Sequence, residues 1–134
     1  MIYDDRTGSP SDPLTAEIIG AAFAVSNTFG HGFLESVYKK SLAHELTLRN
    51  LSVREEVEHR IHYKNALVGR YVADLVVADS VIVEVKATES ITGAHLSQTL
   101  NYLKASRLPK GLILNFGTPK LGIQRVLNPD FKIK

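Results

Sequence analysis

The sequence contains no cysteine, and it has no apolar run long enough to span a bilayer. The first absence excludes disulfides, thiolate zinc sites and cysteine nucleophiles. The second argues against a membrane-spanning helix, and the first residues also lack the basic and apolar regions of a secretory signal. We therefore expect a cytoplasmic protein that does not act at a membrane.

A strong charge of one sign is also missing, because the formal net charge is only +2 over 134 residues. The distribution is uneven, however. Residues 104–134 hold seven Lys or Arg against one acid, which gives +6 and leaves −4 for residues 1–103. Such a basic end could contact phosphates, and ordinary solvated surface lysines explain it equally well. The five histidines show no metal-ligand spacing, so we assign none of them to a site.

Apolar periodicity and chain breaks predict eight elements in a single domain over residues 1–134. An irregular lead-in covers residues 1–12, and a basic tail covers residues 128–134. Between them we predict helices at about 13–29, 33–49 and 94–107, and strands at about 53–63, 71–77, 81–87, 112–116 and 123–127. The order α-α-β-β-β-α-β-β predicts an α/β sandwich around a mixed sheet. Its first three strands form an antiparallel meander, and the third helix crosses over to the fourth strand.

The two strands on either side of residues 78–80 are apolar, yet they contain Asp74, Glu84 and Lys86. Charged side chains rarely lie in buried strands unless they are paired or used in function. A three-residue loop at 78–80 would pair Asp74 with Glu84 and place both on one face with Lys86. A two-residue loop would instead turn Asp74 to the opposite face.

A metal site would follow from the three-residue loop. Facing carboxylates would lie ~5 Å apart at their β-carbons and repel each other. A divalent cation between Asp74 and Glu84 resolves that repulsion, and oxygen ligands suit magnesium. The same register places Tyr71 and Ala73 on the opposite, uncharged face. An ion pair between Glu84 and Lys86 on an edge strand is the alternative, although apolar neighbours on that face argue against a solvated edge.

Four helical side chains complete the candidate set. Glu35, on the second helix, is either a first-turn acid that favours the helix dipole or a carboxylate directed inward. Gln98 and Tyr102 are four residues apart on the third helix and project from one face, although each is commonplace on a helix. Tyr38 is most simply a packing residue with its hydroxyl at the rim of the site.

Several motifs resemble those of a known superfamily. Asp74, nine intervening residues and then Glu84-Val85-Lys86 resemble the D-x(n)-E-x-K arrangement of the PD-(D/E)xK nucleases. Gln98-x-x-x-Tyr102 looks like the QxxxY motif of RecB-type nucleases in that superfamily. With Gly32-x-x-Glu35-x-x-Tyr38 and Leu114-Asn115-Phe116-Gly117, the whole set is similar to the GxxExxY proteins, over about Leu14 to Leu127. One departure is Ala73, which stands where the motif has proline.

The resemblance implies a restriction-endonuclease-like fold and a metal-dependent nuclease. By that pattern Asp74, Glu84, the Val85 carbonyl and Glu35 would hold Mg²⁺ or Mn²⁺. Lys86 would orient or deprotonate the attacking water. The supporting or nucleic-acid-contacting residues would be Gln98, Tyr102 and Tyr38.

The resemblance also implies partners. We expect nucleic acid, DNA rather than RNA, and a homodimer, since many small members of the superfamily work as homodimers. The alternative function is a non-catalytic nucleic-acid-binding or assembly module that retains the nuclease fold. A third reading is an interaction protein with no nucleic-acid role.

Overall fold

The computed structural model describes residues 12–131, which form three helices and five strands in the predicted order. The elements are α1 (Pro13–Phe29), α2 (Glu35–Leu48), β1 (Val53–Tyr63), β2 (Ala66–Val77), β3 (Val81–Lys86), α3 (Gly93–Ser106), β4 (Lys110–Asn115) and β5 (Gly122–Leu127). The α/β class is therefore confirmed. Residues 1–11 of the predicted lead-in and 132–134 of the predicted tail lie outside the described part. Within residues 12–131, no helix is long and apolar enough to cross a membrane.

Local signals set the helix ends. The Asp12 carboxylate accepts hydrogen bonds from the Thr15 amide at 2.8 Å and the Thr15 hydroxyl at 2.7 Å, and Pro13 is the first residue of α1. Helix α2 begins two residues later than predicted, because Leu34 is still extended, with φ −65° and ψ 149°. Thr92 caps α3 by accepting a hydrogen bond from the His95 amide.

The five strands form one mixed sheet in the order β1-β2-β3-β4-β5. Strands β1, β2 and β3 pair antiparallel in sequence, as the predicted meander requires. Helix α3 then connects β3 to β4, which pair in parallel, and β5 returns antiparallel beside β4. This topology is consistent with a restriction-endonuclease-like fold and places β3 at the centre of the sheet.

The β1–β2 hairpin projects beyond the rest of the sheet. Strand β2 begins at Ala66, five residues before its predicted start, and pairs with β1 along nearly its whole length. Its pairing with the shorter β3 covers only residues 75–77. The hairpin turn lies at Lys64 and Asn65, as predicted, and both residues have positive φ, 45° and 68°. One face of this extension stays exposed to solvent.

Two apolar clusters lie on the two faces of the sheet. Helices α1 and α2 pack on the face that carries Leu75, Val77 and the odd-numbered valines of β3. Residues of α3 pack on the other face, together with Val76 and Ile82. Tyr71 and Ala73 belong to this second cluster, so their predicted assignment to the first face was wrong. The alternation of β2 changes phase at Asp74, where the regular pleat on which the prediction depended is interrupted.

Candidate active site

The β2–β3 hairpin brings Asp74 beside Glu84. Its loop has three residues, because Val77 pairs with Val81, and the hypothesis of a three-residue loop is confirmed. The same register sets Asp74 opposite Glu84, but the last pair of the β2–β3 ladder is Leu75–Val83. The Asp74 carboxylate instead accepts a hydrogen bond from the Val85 amide at 2.8 Å. Asp74 therefore lies where the two strands separate, with an oxygen fixed against β3.

Glu84 is a buried carboxylate, with only 8% of its surface exposed. The Tyr71 hydroxyl donates a hydrogen bond to its Oε1. Burial, reinforced by the neighbouring Asp74 carboxylate, raises the pKa of Glu84 to about 8, although the Tyr71 hydrogen bond and the Lys86 charge act in the opposite direction. Burial and then the Glu84 charge also raise the pKa of Tyr71, so its hydroxyl remains a donor.

Aromatic rings pack against Tyr71, the residue that holds the buried carboxylate. The Tyr102 ring, from α3, stacks on the Tyr71 ring with an angle of 15° between their planes. His59 of β1 lies against Tyr71, at 6.1 Å between ring centroids, and burial lowers its pKa. Gln98 lies one turn before Tyr102 and is exposed. The predicted Gln98–Tyr102 pair is therefore split, since Tyr102 packs over the residue that holds Glu84 while Gln98 faces solvent.

Lys86 ends β3, half-buried, and its charge acts on Glu84. The backbone at Lys86 and just after it is fixed by the segment that ends β4. The Phe116 amide donates to the Lys86 carbonyl at 2.8 Å, and the Asn115 side chain bonds both the amide and the carbonyl of Thr88. A β-carbon at Gly117 would lie 2.2 Å from the Thr88 nitrogen, so only glycine fits there.

The Asn115-Phe116-Gly117 motif therefore positions the chain that carries Lys86. In the sequence alone, this motif contributes only to a family resemblance. A buried asparagine at a strand end, followed two residues later by glycine, was the signal available for its structural role.

Lys39 and Glu56 join the site and were not predicted. The Lys39 ammonium donates a hydrogen bond to Glu56 and lies 3.9 Å from Asp74 Oδ1. Its hydrogen bond with Glu56 raises the pKa of Lys39. No spacing rule connects these positions, because they lie on α2, β1 and β2. The available signal was weak: Lys39 is three residues before the buried Leu42, so it borders the buried stripe of α2.

Two residues of the Gly32-x-x-Glu35-x-x-Tyr38 motif have different surroundings. Glu35 is the first residue of α2 and is exposed, so the structure does not bring it into contact with the Asp74–Glu84 pair. Tyr38 is fully buried. Its hydroxyl donates to the Gly30 carbonyl at 2.8 Å and accepts from the Phe33 amide at 3.1 Å. The expectation that this hydroxyl lies at the rim was wrong, because the loop between α1 and α2 engages it.

The residues around Asp74 fit a hydrated divalent ion better than an ion enclosed by protein ligands. Within residues 12–131, no group of three or more His, Cys, Asp or Glu is arranged to hold a metal. Two adjacent carboxylates are enough for Mg²⁺, which keeps several waters and often binds one or two carboxylates together with substrate phosphates. The same ion would relieve the repulsion that contributes to the raised pKa of Glu84.

The chain is similar to known proteins in two comparisons. A search of curated proteins gave no match. A solved structure titled "Crystal structure of SSO0001" is similar with a TM-score of 0.46 and 16% sequence identity, covering 87% of this chain and 78% of the other. A family profile described as the PD-(D/E)XK nuclease superfamily matches residues 12–126. The profile spans most of the protein and includes Asp74, Glu84 and Lys86, and the chain belongs to the PD-(D/E)XK nuclease superfamily.

Proposed function

We propose that this protein is a Mg²⁺- or Mn²⁺-dependent nuclease that hydrolyses phosphodiester bonds. The observation that carries the proposal is the juxtaposition of Asp74 and Glu84 at the point where β2 and β3 separate, with Lys86 following on the same strand. Two carboxylates and an amine at one position of the sheet match the chemistry that such hydrolysis needs.

Each residue has a proposed role. Asp74, Glu84 and the Val85 carbonyl would hold the ion, which supplies charge stabilisation at the scissile phosphate. Lys86 would orient or deprotonate the attacking water. Tyr71 holds Glu84 in place through its hydrogen bond, and Tyr102 covers Tyr71. These two tyrosines keep bulk water away from one of the two carboxylates.

The helical residues have supporting roles in this proposal. Glu35 would reach the metal shell through water, because it lies one turn before Lys39, and its charge acts on Lys39. Gln98 is exposed and would contact the nucleic-acid backbone. Tyr38 would act only through the fold, since its hydroxyl is engaged by the α1–α2 loop.

The narrower likeness to GxxExxY proteins also belongs to this proposal. Gly32 has a φ of 111°, a conformation that favours glycine, and Tyr38 ties the same loop through two hydrogen bonds. Gly32 and Tyr38 thereby fix where α2 begins, and with it the position of Glu35. The motif therefore has a physical basis in this chain.

We propose nucleic acid as the partner, and DNA rather than RNA by the same resemblance. Support comes from Arg60 and Arg70, which lie directly opposite each other on the projecting hairpin with more than half of each side chain exposed. The carboxylate of Glu58 is 3.5 Å from the Nε of Arg60 and 3.1 Å from that of Arg70. Glu58 supplies one negative charge against two positive charges, so the group keeps a net positive charge that would attract a phosphate.

Cytoplasmic location and a homodimer remain parts of the proposal that rest on sequence. Light scattering at micromolar concentration tests the second of these directly. A dimer is expected, and a monomer would contradict the expectation.

Cleavage of a nucleic-acid panel tests the proposed activity. The panel contains single-stranded, duplex and branched DNA and RNA, each incubated with Mg²⁺ or Mn²⁺. We expect metal-dependent cleavage by the wild type and its loss in Glu84→Ala and Lys86→Ala. The exposed Asp130→Ala and Lys104→Ala variants, which remove the same kinds of charge elsewhere, should cleave like the wild type.

A non-catalytic nucleic-acid-binding module is the second candidate. Two observations favour it: in residues 12–131 no group of three or more acids or histidines could hold a metal, and the pKa of about 8 keeps Glu84 mostly protonated near pH 7 in the metal-free protein. Salt-dependent binding without cleavage, unchanged in Glu84→Ala and Lys86→Ala, would support this module. The same result would contradict the nuclease proposal.

A further inference from the structure

The protein places one of its own cations beside Asp74. Lys39 projects from α2, and its ammonium lies 3.9 Å from Asp74 Oδ1. Only 19% of the Lys39 side chain is exposed, and Asp74 is similarly covered, at 18%. A positive charge this close to a largely buried carboxylate interacts with it more strongly than a pair on the surface would.

Glu56 holds Lys39 from the other side. It accepts a hydrogen bond from the ammonium and is much more exposed than Asp74, at 54%. Lys39 is therefore hydrogen-bonded to the exposed acid and only close to the buried one. Glu35 is the third acid whose charge acts on Lys39. Lys39 thus lies between the exposed carboxylate of Glu56, to which it is hydrogen-bonded, and the largely buried carboxylate of Asp74, to which it is only close.

The backbone is irregular at the same level of the sheet. Glu56 has a φ of 52°, although it lies inside strand β1 and is not glycine. Cross-strand pairing passes from Glu55–Leu75 to Val57–Ala73 and omits the intervening pair, Glu56 and Asp74. A left-handed residue within a strand is strained and persists where surrounding contacts hold it. Here the Lys39 hydrogen bond is such a contact.

We propose that Lys39 regulates divalent-ion binding at Asp74: its ammonium competes with the ion for the carboxylate, and Glu56 limits that competition by holding the ammonium away. This inference rests on the proposed function, because it requires an ion at the Asp74–Glu84 pair. Two cations next to one carboxylate repel each other, so removing Lys39 favours the ion. Removing the Glu56 charge releases Lys39 toward Asp74 and disfavours it.

Calorimetric titration with Mn²⁺ tests the inference on the full chain. We expect Lys39→Met to bind Mn²⁺ roughly tenfold more tightly than the wild type, since a cation near the site is lost. Lys40→Met is the matched control, because Lys40 is the next residue on the same helix and is exposed. Its affinity should stay within about twofold of the wild type, as expected for a screened surface charge.

Glu56→Gln should change the affinity in the opposite direction and bind Mn²⁺ several-fold more weakly. The double variant Lys39→Met/Glu56→Gln then decides how Glu56 acts. If Glu56 acts through Lys39, the double variant binds like Lys39→Met. If the double variant binds much more weakly than Lys39→Met, Glu56 itself is a ligand and the inference is overturned.

The remaining outcomes separate this inference from the proposed function. Wild-type binding of Mn²⁺ with unchanged or weaker affinity in Lys39→Met would overturn the role of Lys39 and leave the metal site standing. No binding at millimolar Mn²⁺ in any variant would overturn both. Thermal melts of each variant confirm folding, and Lys39→Gln, which also removes the charge, replaces Lys39→Met in the single and the double variant if Lys39→Met does not fold.

Discussion

Asp74 and Glu84 face each other across one hairpin, yet the protein surrounds the two carboxylates differently. Glu84 is buried and accepts a hydrogen bond from Tyr71, which stacks on Tyr102, and burial raises the pKa of Glu84 to about 8. Asp74 is bonded to the Val85 amide and lies close to Lys39, an ionic environment with partial solvent access. Burial thus dominates the environment of Glu84, and a nearby charge dominates that of Asp74. Because burial disfavours the charged form of Glu84, that carboxylate depends on a nearby cation more than a solvated carboxylate would.

The largest effect is expected on cleavage when Asp74, the carboxylate close to Lys39, is replaced. Asp74→Asn keeps a side-chain oxygen that can accept the Val85 hydrogen bond but removes the charge that would bind the ion. We expect metal-dependent cleavage to fall by more than about a hundredfold, because a metal ligand supplies several kcal/mol to the transition state. Steady-state cleavage assays measure the loss, with the exposed Asp130→Asn as control. Retention of activity in Asp74→Asn would remove Asp74 from the site.

A smaller effect is expected on stability when Glu84, the buried carboxylate, is replaced, and it is a gain in stability. The pKa of Glu84 is about 8 in the folded protein, above its ordinary 4.5, so the folded state retains a proton that the unfolded state has released. The stability of the metal-free protein therefore falls as pH rises between these values. Glu84→Gln removes this dependence. Its melting temperature should exceed that of the wild type at about pH 9, by on the order of 5 °C, and match it at about pH 5.

Thermal melts in a chelating buffer make that measurement, and Glu55→Gln supplies the control, because Glu55 is an exposed carboxylate of β1. An equal gain for Glu84→Gln at both pH values would show that Glu84 is not a buried acid with a raised pKa.

The smallest effect is expected at Tyr71. Tyr71→Phe keeps the stacked ring and removes the hydroxyl that favours ionised Glu84. The pKa of Glu84 then rises further, so the onset of Mn²⁺ binding should move to higher pH by less than about one unit. Mn²⁺ titrations across a pH series measure the shift, with the exposed Tyr63→Phe as control. A shift to lower pH would contradict the proposed role of the hydroxyl.

Much of the fold was predictable from the sequence because its signals were local. Asp12-Pro13 marks the start of α1, the Lys64-Asn65 turn ends β1, and the apolar runs around residues 78–80 predict a hairpin there, with either a two-residue or a three-residue loop. Asp74, Glu84 and Lys86 were noticed because charges inside apolar strands stand out against their background, and their catalytic roles stay a prediction. These predictions needed only neighbouring residues and the two-residue period of a strand.

What could not be predicted depends on contacts between distant elements or on irregular backbone. The phase change of β2 at Asp74 moves Tyr71 to the face of Glu84, and a regular two-residue period cannot show it. The contact of Lys39 with Glu56 joins a helix to a strand that has a left-handed residue. The Tyr38 hydroxyl was placed at the rim because the conformation of the preceding loop was unknown.

The most direct test of the account is the position of a metal ion in the protein. Crystals grown with Mn²⁺ at a pH above about 8, where Glu84 is ionised, would show the ion by its anomalous scattering. The account predicts an ion held by the Asp74 and Glu84 carboxylates. Well-ordered carboxylates with no ion between them at millimolar Mn²⁺, or Mn²⁺ bound only at surface acids such as Glu58, would contradict it.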